Sequence, residues 1–159
     1  MEKVAIDELD LTSTPPAAVQ RNLTRPLGTT DVALNYYELE PGDAFSYAYH
    51  NHEIQEELFY VIEGTATFET EAGPVEVGRG EIIRFPPGEY QRGTNQGSRR
   101  VVALAWGAPL EYGEMDKRRD CPECGAFTSQ VFDTVGDEYV ASCRECGTET
   151  GRWPPADSR

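Results

Sequence analysis

Between Val32 and Trp106 the chain alternates short apolar runs with turn residues. The runs are rich in Val, Ile, Tyr, Phe and Thr, and clusters of Gly and Pro separate them about every 8–12 residues without helical periodicity. This pattern is typical of β-sandwiches and β-barrels, so it predicts an all-β fold. The strands that it predicts are 32–39, 44–52, 57–62, 65–71, 75–77, 81–85 and 100–106.

The pattern changes on both sides of this β-rich block, which indicates more than one unit in the chain. In the second unit, a turn at Val135-Gly136-Asp137 separates two short strand-like runs, 129–134 and 138–142, and predicts a hairpin. The predicted segments are an N-terminal arm (1–30), a barrel (31–108), a charged linker (109–120), and a second module with a tail (121–159).

Both histidines of the chain, His50 and His52, fall in the second predicted strand. Side chains at positions i and i+2 of a strand share a face, so the two imidazoles are expected to converge. Glu57 lies nearby and offers a carboxylate. Two histidines with one carboxylate are typical of a divalent-metal site, and this stretch is therefore the candidate site of chemistry.

The spacing around these residues resembles the first conserved motif of the cupin superfamily. The chain reads His50-x-His52-x4-Glu57-x6-Gly64, and although Glu56 satisfies a looser spacing, only Glu57 leaves six residues before Gly64. The second cupin motif corresponds to Gly80-x5-Pro86-x-Gly88-x2-Gln91-x3-Asn95, with Gln91 in place of the family's metal-binding histidine. The resemblance implies a cupin-type jelly-roll β-barrel with the site inside it. It also implies His50, His52 and Glu57 as metal ligands, with Gln91 at the fourth position.

Gln91 leaves the metal content of the barrel open. A glutamine oxygen can coordinate a metal, but it is neutral, and its use in place of imidazole weakens affinity most for Zn and Ni. The remaining three ligands still form a facial set that could hold Fe²⁺ or Mn²⁺ with open positions. Alternatively, Gln91 donates a hydrogen bond to a bound anion or amide, or the whole group is a satisfied polar cluster at the barrel mouth without a metal.

Two functions for the barrel follow from these alternatives. The first is a metal-dependent enzyme of the dioxygenase, isomerase or decarboxylase type, acting on a small molecule, as the cupin resemblance implies. The second is a non-catalytic module that binds or senses a small ligand without a barrel metal. Arg84 and Arg92 lie within the second motif, and each is expected either to clamp a substrate carboxylate or to pair with surface acids.

The four cysteines form two Cys-x-x-Cys-Gly knuckles separated by eighteen residues. This spacing is typical of a four-cysteine zinc site, in which the glycine after each pair permits a tight turn. The segment 121–151 therefore resembles a zinc ribbon that holds a structural Zn²⁺, with a dithiol redox role as the alternative. The ribbon either stabilises the chain or docks a protein partner, for which Trp153 is a candidate anchor. The predicted zinc ligands are Cys121, Cys124, Cys143 and Cys146.

The net charge of the chain indicates which classes of partner it is expected to bind. The chain has 28 acidic and 14 basic residues, a net charge of −14, and only two lysines, Lys3 and Lys117. Such an acidic surface disfavours binding to nucleic acid and anionic lipid. The hypothesis of a nucleic-acid-associated regulator is therefore supported only by the resemblance to a zinc ribbon. The excess of acids over lysines resembles proteins of salt-accumulating halophiles. No apolar run reaches the length of a membrane span and the start lacks a signal-peptide stretch, so we expect a cytoplasmic protein.

Tyr47 and Tyr49 are predicted to lie on the face of the strand opposite to His50 and His52. Two neighbouring aromatic side chains would cost solubility if they were left bare. They pack under the N-terminal arm or form the interface of a homodimer, and the homodimer is the interpretation that we favour.

Overall fold

The computed structural model describes residues 1–12 and 16–154, and residues 155–159 of the predicted tail lie outside this range. Within the described residues nearly all regular structure is β, with one short helix, α1 (Thr24–Leu27), and one 3-10 turn at Ile6–Glu8. This confirms the prediction of an all-β fold. The strands are β1 (Val19–Asn22), β2 (Ala33–Leu39), β3 (Tyr49–His50), β4 (Glu56–Glu63), β5 (Thr65–Thr70), β6 (Val75–Gly78), β7 (Ile82–Phe85), β8 (Gln91–Thr94), β9 (Val101–Ala108), β10 (Lys117–Cys121), β11 (Ala126–Val135), β12 (Glu138–Cys143) and β13 (Glu149–Trp153).

The strands form two antiparallel sheets whose side chains share one core. The first sheet has the order β1-β2-β9-β4-β7, and the second has the order β13-β12-β11-β10-β3-β8-β5-β6. Because strand side chains alternate between faces, Phe59 and Val61 of β4 are buried whereas Tyr60 and Ile62 are exposed. The buried apolar cluster takes members from both sheets, among them Leu39, Phe59, Phe68, Val77 and Val101.

A glycine in β8 sets how closely the second sheet approaches this core. A Cβ atom at Gly93 would lie 2.5 Å from ring carbons of both Phe45 and Phe68. Those two rings stack on each other with centroids 5.7 Å apart. Gly93 therefore lets β8 lie directly against the aromatic core, which also fixes the position of Gln91 two residues earlier.

The predicted strand 44–52 is much shorter in the structure. Only Tyr49 and His50 pair as a strand, and Ala44 makes a single bridge to Thr94. Beyond His50 the backbone N–H groups of Asn51 and Glu53 donate to carbonyls of Asp116 and Glu114 instead of continuing a ladder. The segment that precedes β10 therefore packs along residues 51–54.

The C-terminal strands β10–β13 extend the second sheet of the barrel. Strand β10 lies within 117–121, so the segment interpreted as a linker contributes an element of the sheet. It pairs with β3, and Lys117 lies opposite His50 while Arg118 lies opposite Tyr49. The predicted hairpin is present as β11 and β12, whose last pair is Val135 with Glu138.

Aromatic side chains of the C-terminal strands cover Tyr47 and Tyr49. The Tyr47 ring lies 4.6 Å from Trp153 and 4.9 Å from Tyr139, measured between centroids. The Tyr49 ring lies 5.8 Å from Phe127 of β11, and it stacks on Tyr90, which precedes β8, at 5.4 Å. Trp153 is thus partly buried against Tyr47. The homodimer stays a prediction, but the bare tyrosines that suggested it are covered by the chain itself.

Candidate functional site

Four predicted residues come together at one end of the barrel. His50 ends β3, His52 lies in the following loop, Glu57 is in β4, and Gln91 begins β8 directly opposite His50. One ligand atom from each of His50, His52 and Glu57 lies within 4.8 Å of the others. The structure therefore brings together the residues that the two motifs indicated, even though His52 lies outside a strand.

The carboxylate of Glu57 is the centre of this barrel site. Its Oε2 atom lies 3.3 Å from Nε2 of His52 and 3.7 Å from Nε2 of His50. The side-chain amide of Gln91 donates to the same Oε2 at 2.7 Å, and its nitrogen is 3.4 Å from Nε2 of His50. Both imidazoles thus present Nε2 towards one carboxylate oxygen.

The contacts of His50 indicate which of its two ring nitrogens has a lone pair at the centre of the site. Its Nδ1 atom lies 3.0 Å from the carbonyl oxygen of Ala48, which can only accept a hydrogen bond. Nδ1 therefore carries a proton, and in the neutral imidazole this leaves the lone pair on Nε2, which faces Glu57. A metal-binding histidine is typically oriented in this way by a backbone carbonyl.

Several buried polar atoms at the site lack a hydrogen-bond partner within the described residues. These are Nδ1 and Nε2 of His52 and Oε1 of Gln91. Leaving such atoms unpaired costs about 1–3 kcal/mol each, and a cation at the centre would satisfy the Nε2 lone pair. Rotation of the Gln91 amide by half a turn exchanges its oxygen and nitrogen, which would aim the oxygen at the same point. The donor set therefore fits a divalent metal.

Glu57 supplies the negative charge of the site. Burial disfavours its ionised form, but hydrogen bonding with His50 and His52 in their protonated forms, and the charge of those forms, outweigh burial and lower the pKa of Glu57 to about 2. The side chain is thus a carboxylate at neutral pH, as a metal ligand must be.

A cavity of about 470 Å³ opens onto these residues. Its volume lies in the range that small-molecule sites occupy, about 300–1,000 Å³. Besides the two histidines, the described lining has one acidic residue, Glu57, and one basic residue, Lys117. The remaining lining includes aromatic rings and uncharged polar groups, namely Tyr37, Phe45, Phe59, Trp106, Tyr112, Gln20, Asn22, Asn35 and Gln55.

The arginines proposed from the sequence as carboxylate clamps do not line this cavity. Arg84 is exposed and pairs with Glu56. Arg92 lines a separate groove with Arg118 and Arg119. The sequence interpretation missed Lys117, which lines the cavity and whose pKa is lowered by burial. The only signal in the sequence that Lys117 has a special role was that the chain has just one other lysine.

The four cysteines also converge, at the far end of the C-terminal strands. Sγ of Cys121 lies 3.6 Å from Sγ of Cys146, and Sγ of Cys124 lies 3.8 Å from Sγ of Cys143. Four thiolates around a tetrahedral zinc, each bonded at about 2.3 Å, lie roughly 3.8 Å apart. The spacing fits a zinc ion and is far too long for disulfides.

The knuckles that hold these cysteines depend on two glycines. Gly125 and Gly147 adopt φ values of 61° and 77°, a left-handed conformation that a residue with a Cβ rarely takes. Their N–H groups donate to the carbonyls of Cys121 and Cys143.

The four thiols do not ionise alike. A hydrogen bond with the Thr128 hydroxyl lowers the pKa of Cys143 to about 6. Hydrogen bonds with the Cys146 and Cys121 thiols raise the pKa of Cys124. A zinc ion bound to all four sulfurs would hold them as thiolates.

Comparisons with known proteins agree with this geometry. The sequence profile described as "Cupin domain" matches residues 35–107. No curated protein matches the sequence. Within the described residues there is also no helix with the length and apolarity to cross a membrane.

Solved structures of several proteins share the fold. A polyketide cyclase, RemF, from Streptomyces resistomycificus is 24% identical with a TM-score of 0.63, covering 79% of this chain and 90% of its own. A sugar phosphate isomerase of the cupin superfamily from Silicibacter pomeroyi is 19% identical with a TM-score of 0.58, covering 93% and 91%. An uncharacterized protein with a double-stranded β-helix domain from Klebsiella pneumoniae is 19% identical with a TM-score of 0.60, covering 74% and 97%. At these identities the likeness shows the fold alone. The segment that matches the cupin profile, residues 35–107, contains both motifs and all four residues of the barrel site, which supports a relation to the cupin superfamily.

Proposed function

We propose that residues 35–107 act as a cupin domain that binds a divalent metal at His50, His52 and Glu57 and takes a small molecule into the cavity beside it. The observation that carries this proposal is the convergence of two imidazole Nε2 atoms on one partly buried, ionised carboxylate, with the ring nitrogens of His52 otherwise unpaired within the described residues. Three neutral or anionic ligands of this kind suit Fe²⁺ or Mn²⁺ and leave coordination positions open.

Gln91 completes the proposed site as a weak fourth ligand through its amide oxygen. A bound metal would supply Lewis-acid or redox chemistry at the open positions. The chain itself would orient the small molecule against aromatic rings such as Phe45 and Trp106 and exclude water from its apolar part. Two proteins of similar fold are an isomerase and a cyclase, and we extend that kind of small-molecule turnover to this chain as part of the proposal.

One contact favours a second function, a ligand-binding module without a barrel metal. In the conformation observed, the two hydrogens of the Gln91 amide face Oε2 of Glu57 and Nε2 of His50. These two N–H groups thereby satisfy the same acceptor atoms that would otherwise coordinate a metal. The cavity would then bind its ligand by shape and hydrogen bonding alone.

Metal content of the purified chain separates these two functions. Protein prepared without chelators and without oxygen is expected to contain about one zinc and about one iron or manganese per chain, measured by inductively coupled plasma mass spectrometry. Zinc alone, at one per chain, would contradict the first proposal and favour the second.

Replacing Gln91 with histidine tests the same point by substitution. Because imidazole is a stronger and softer ligand than an amide oxygen, Gln91→His is expected to raise the affinity of the barrel for divalent metals by about tenfold or more. Titration with Mn²⁺, followed by electron paramagnetic resonance, measures the change. Gln96→His places a histidine on the exposed loop after β8 and serves as the control. Equal affinities for the wild type and Gln91→His would show that position 91 does not face a metal.

We also propose that the four cysteines hold a structural zinc, since their sulfur spacing matches a tetrahedral site. Homodimerisation and docking of a protein by the C-terminal strands remain predictions. Light scattering at high salt tests the first of these, and a monomer mass would contradict it.

A further inference from the structure

Lys117 enters the cavity because of the pairing between β10 and β3. It lies directly opposite His50 in this antiparallel pair. Opposed residues of such a pair project to the same face, with Cβ atoms about 4.5–5.5 Å apart. The next residue, Arg118, projects to the other face, where its guanidinium lies over the Tyr90 ring at 4.4 Å. The strand that leads into the cysteine cluster thus places an ammonium group beside the barrel site.

This ammonium group has no acidic partner in the part of the chain that the structure describes. None of the ion pairs found there includes Lys117. Its nitrogen instead lies 4.8 Å from the centre of the Phe132 ring. In a chain with twice as many acidic as basic residues, a partly buried cation without a carboxylate is unusual. Desolvating a charge without pairing it costs free energy, which a bound anion would offset.

The rest of the cavity wall defines the body of the molecule that fits. Rings of Phe45, Trp106 and Tyr112 offer apolar and aromatic surface. Uncharged polar groups such as Asn22 and Asn35, which bond to each other at 3.3 Å, offer places for hydroxyl or carbonyl groups. Apart from Glu57, which is held by the two histidines, the described lining contains no anionic side chain that would repel an acid.

From these contacts we infer that the cavity binds a small carboxylate with an aromatic or apolar body, and that Lys117 recognises the carboxylate. This inference rests on the proposed function of the cavity as a small-molecule site, but it does not require a barrel metal. It also gives the C-terminal strands a role in the site, because β10 delivers the recognition residue.

The test compares matched acids and amides as probes. Benzoate, phenylacetate and 3-phenylpropionate are titrated into the full chain by isothermal calorimetry, alongside benzamide, phenylacetamide and 3-phenylpropionamide. At least one acid is expected to bind the wild type about 10–100-fold more tightly than its amide, as a charge-assisted hydrogen bond provides. Lys117→Met is expected to remove that difference, whereas Lys117→Arg keeps it within about threefold.

Lys3→Met, at the one other lysine, is the control and should bind like the wild type. Equal binding of acid and amide by the wild type, no binding of any acid, or an unchanged preference in Lys117→Met each overturns the inference. Metal analysis of the same samples separates it from the proposed function. If the barrel holds no metal but the preference for acids still depends on Lys117, only the proposed metal site is overturned. If the barrel holds a metal but the preference does not depend on Lys117, only the inference is overturned.

Discussion

Replacing Glu57 with glutamine is expected to empty the barrel of its metal, while the same change at Glu56 leaves the metal in place. Glutamine keeps the shape of the side chain and removes the charge that faces both imidazoles at 3.3 and 3.7 Å. Glu56, the neighbour in β4, points the other way and pairs with Arg84 at the surface. Metal affinity in Glu57→Gln should fall by about 100-fold or more, which corresponds to at least about 2.7 kcal/mol.

The two variants form a matched pair, since each removes one carboxylate from adjacent positions. Metal content by mass spectrometry and Mn²⁺ titration measure the barrel site in both. Zinc at the cysteine cluster should stay near one per chain in each, because that cluster lies at the ends of β10 and β12 and in the turns that follow them. Loss of metal in Glu56→Gln, or its full retention in Glu57→Gln, would contradict the assignment of Glu57 as a ligand.

The choice between Glu56 and Glu57 shows why the barrel site could be predicted from the sequence. Within each motif the residues are close in sequence, so the turns and the alternation of β4 fix their relative positions. Spacing alone selected Glu57, and the structure places it against both histidines. The cysteine knuckles were predictable for the same reason, because Gly125 and Gly147 close each turn locally.

Lys117 shows where that reasoning stops. Its place in the cavity depends on which strand β10 pairs with and in which register, and neither follows from residues near it in sequence. The extent of the strand at 44–52 was misjudged for a related reason, because Asn51 and Glu53 bond to the segment before β10. The cover over Tyr47 likewise comes from Trp153, at the other end of the C-terminal strands.

Replacing Cys143 with serine is expected to remove zinc from the chain and unfold β11–β13. Structural zinc contributes about 10–16 kcal/mol of apparent binding free energy at neutral pH, and a small unit of this kind depends on it for folding. Every member of the buried barrel cluster among the described residues lies between Ala17 and Ala105, so the barrel should stay folded. Hydrogen exchange should show amides of β11–β13 opening at least about 100-fold faster, with β4 and β9 unchanged.

The loss of zinc should also reach the cavity, because β10 carries both Lys117 and Cys121. Once β11 no longer pairs with β10, the ammonium group loses its fixed place opposite His50 and its contact with Phe132. Binding of the carboxylate probes should therefore weaken in Cys143→Ser, and adding Lys117→Met should cause little further loss. Ser142→Ala, the adjacent change on β12, should keep zinc and binding. If the amides of β11–β13 exchange as slowly in zinc-free Cys143→Ser protein as in the wild type, this prediction is wrong. The aromatic contacts around Tyr47 would then hold these strands in place without the ion.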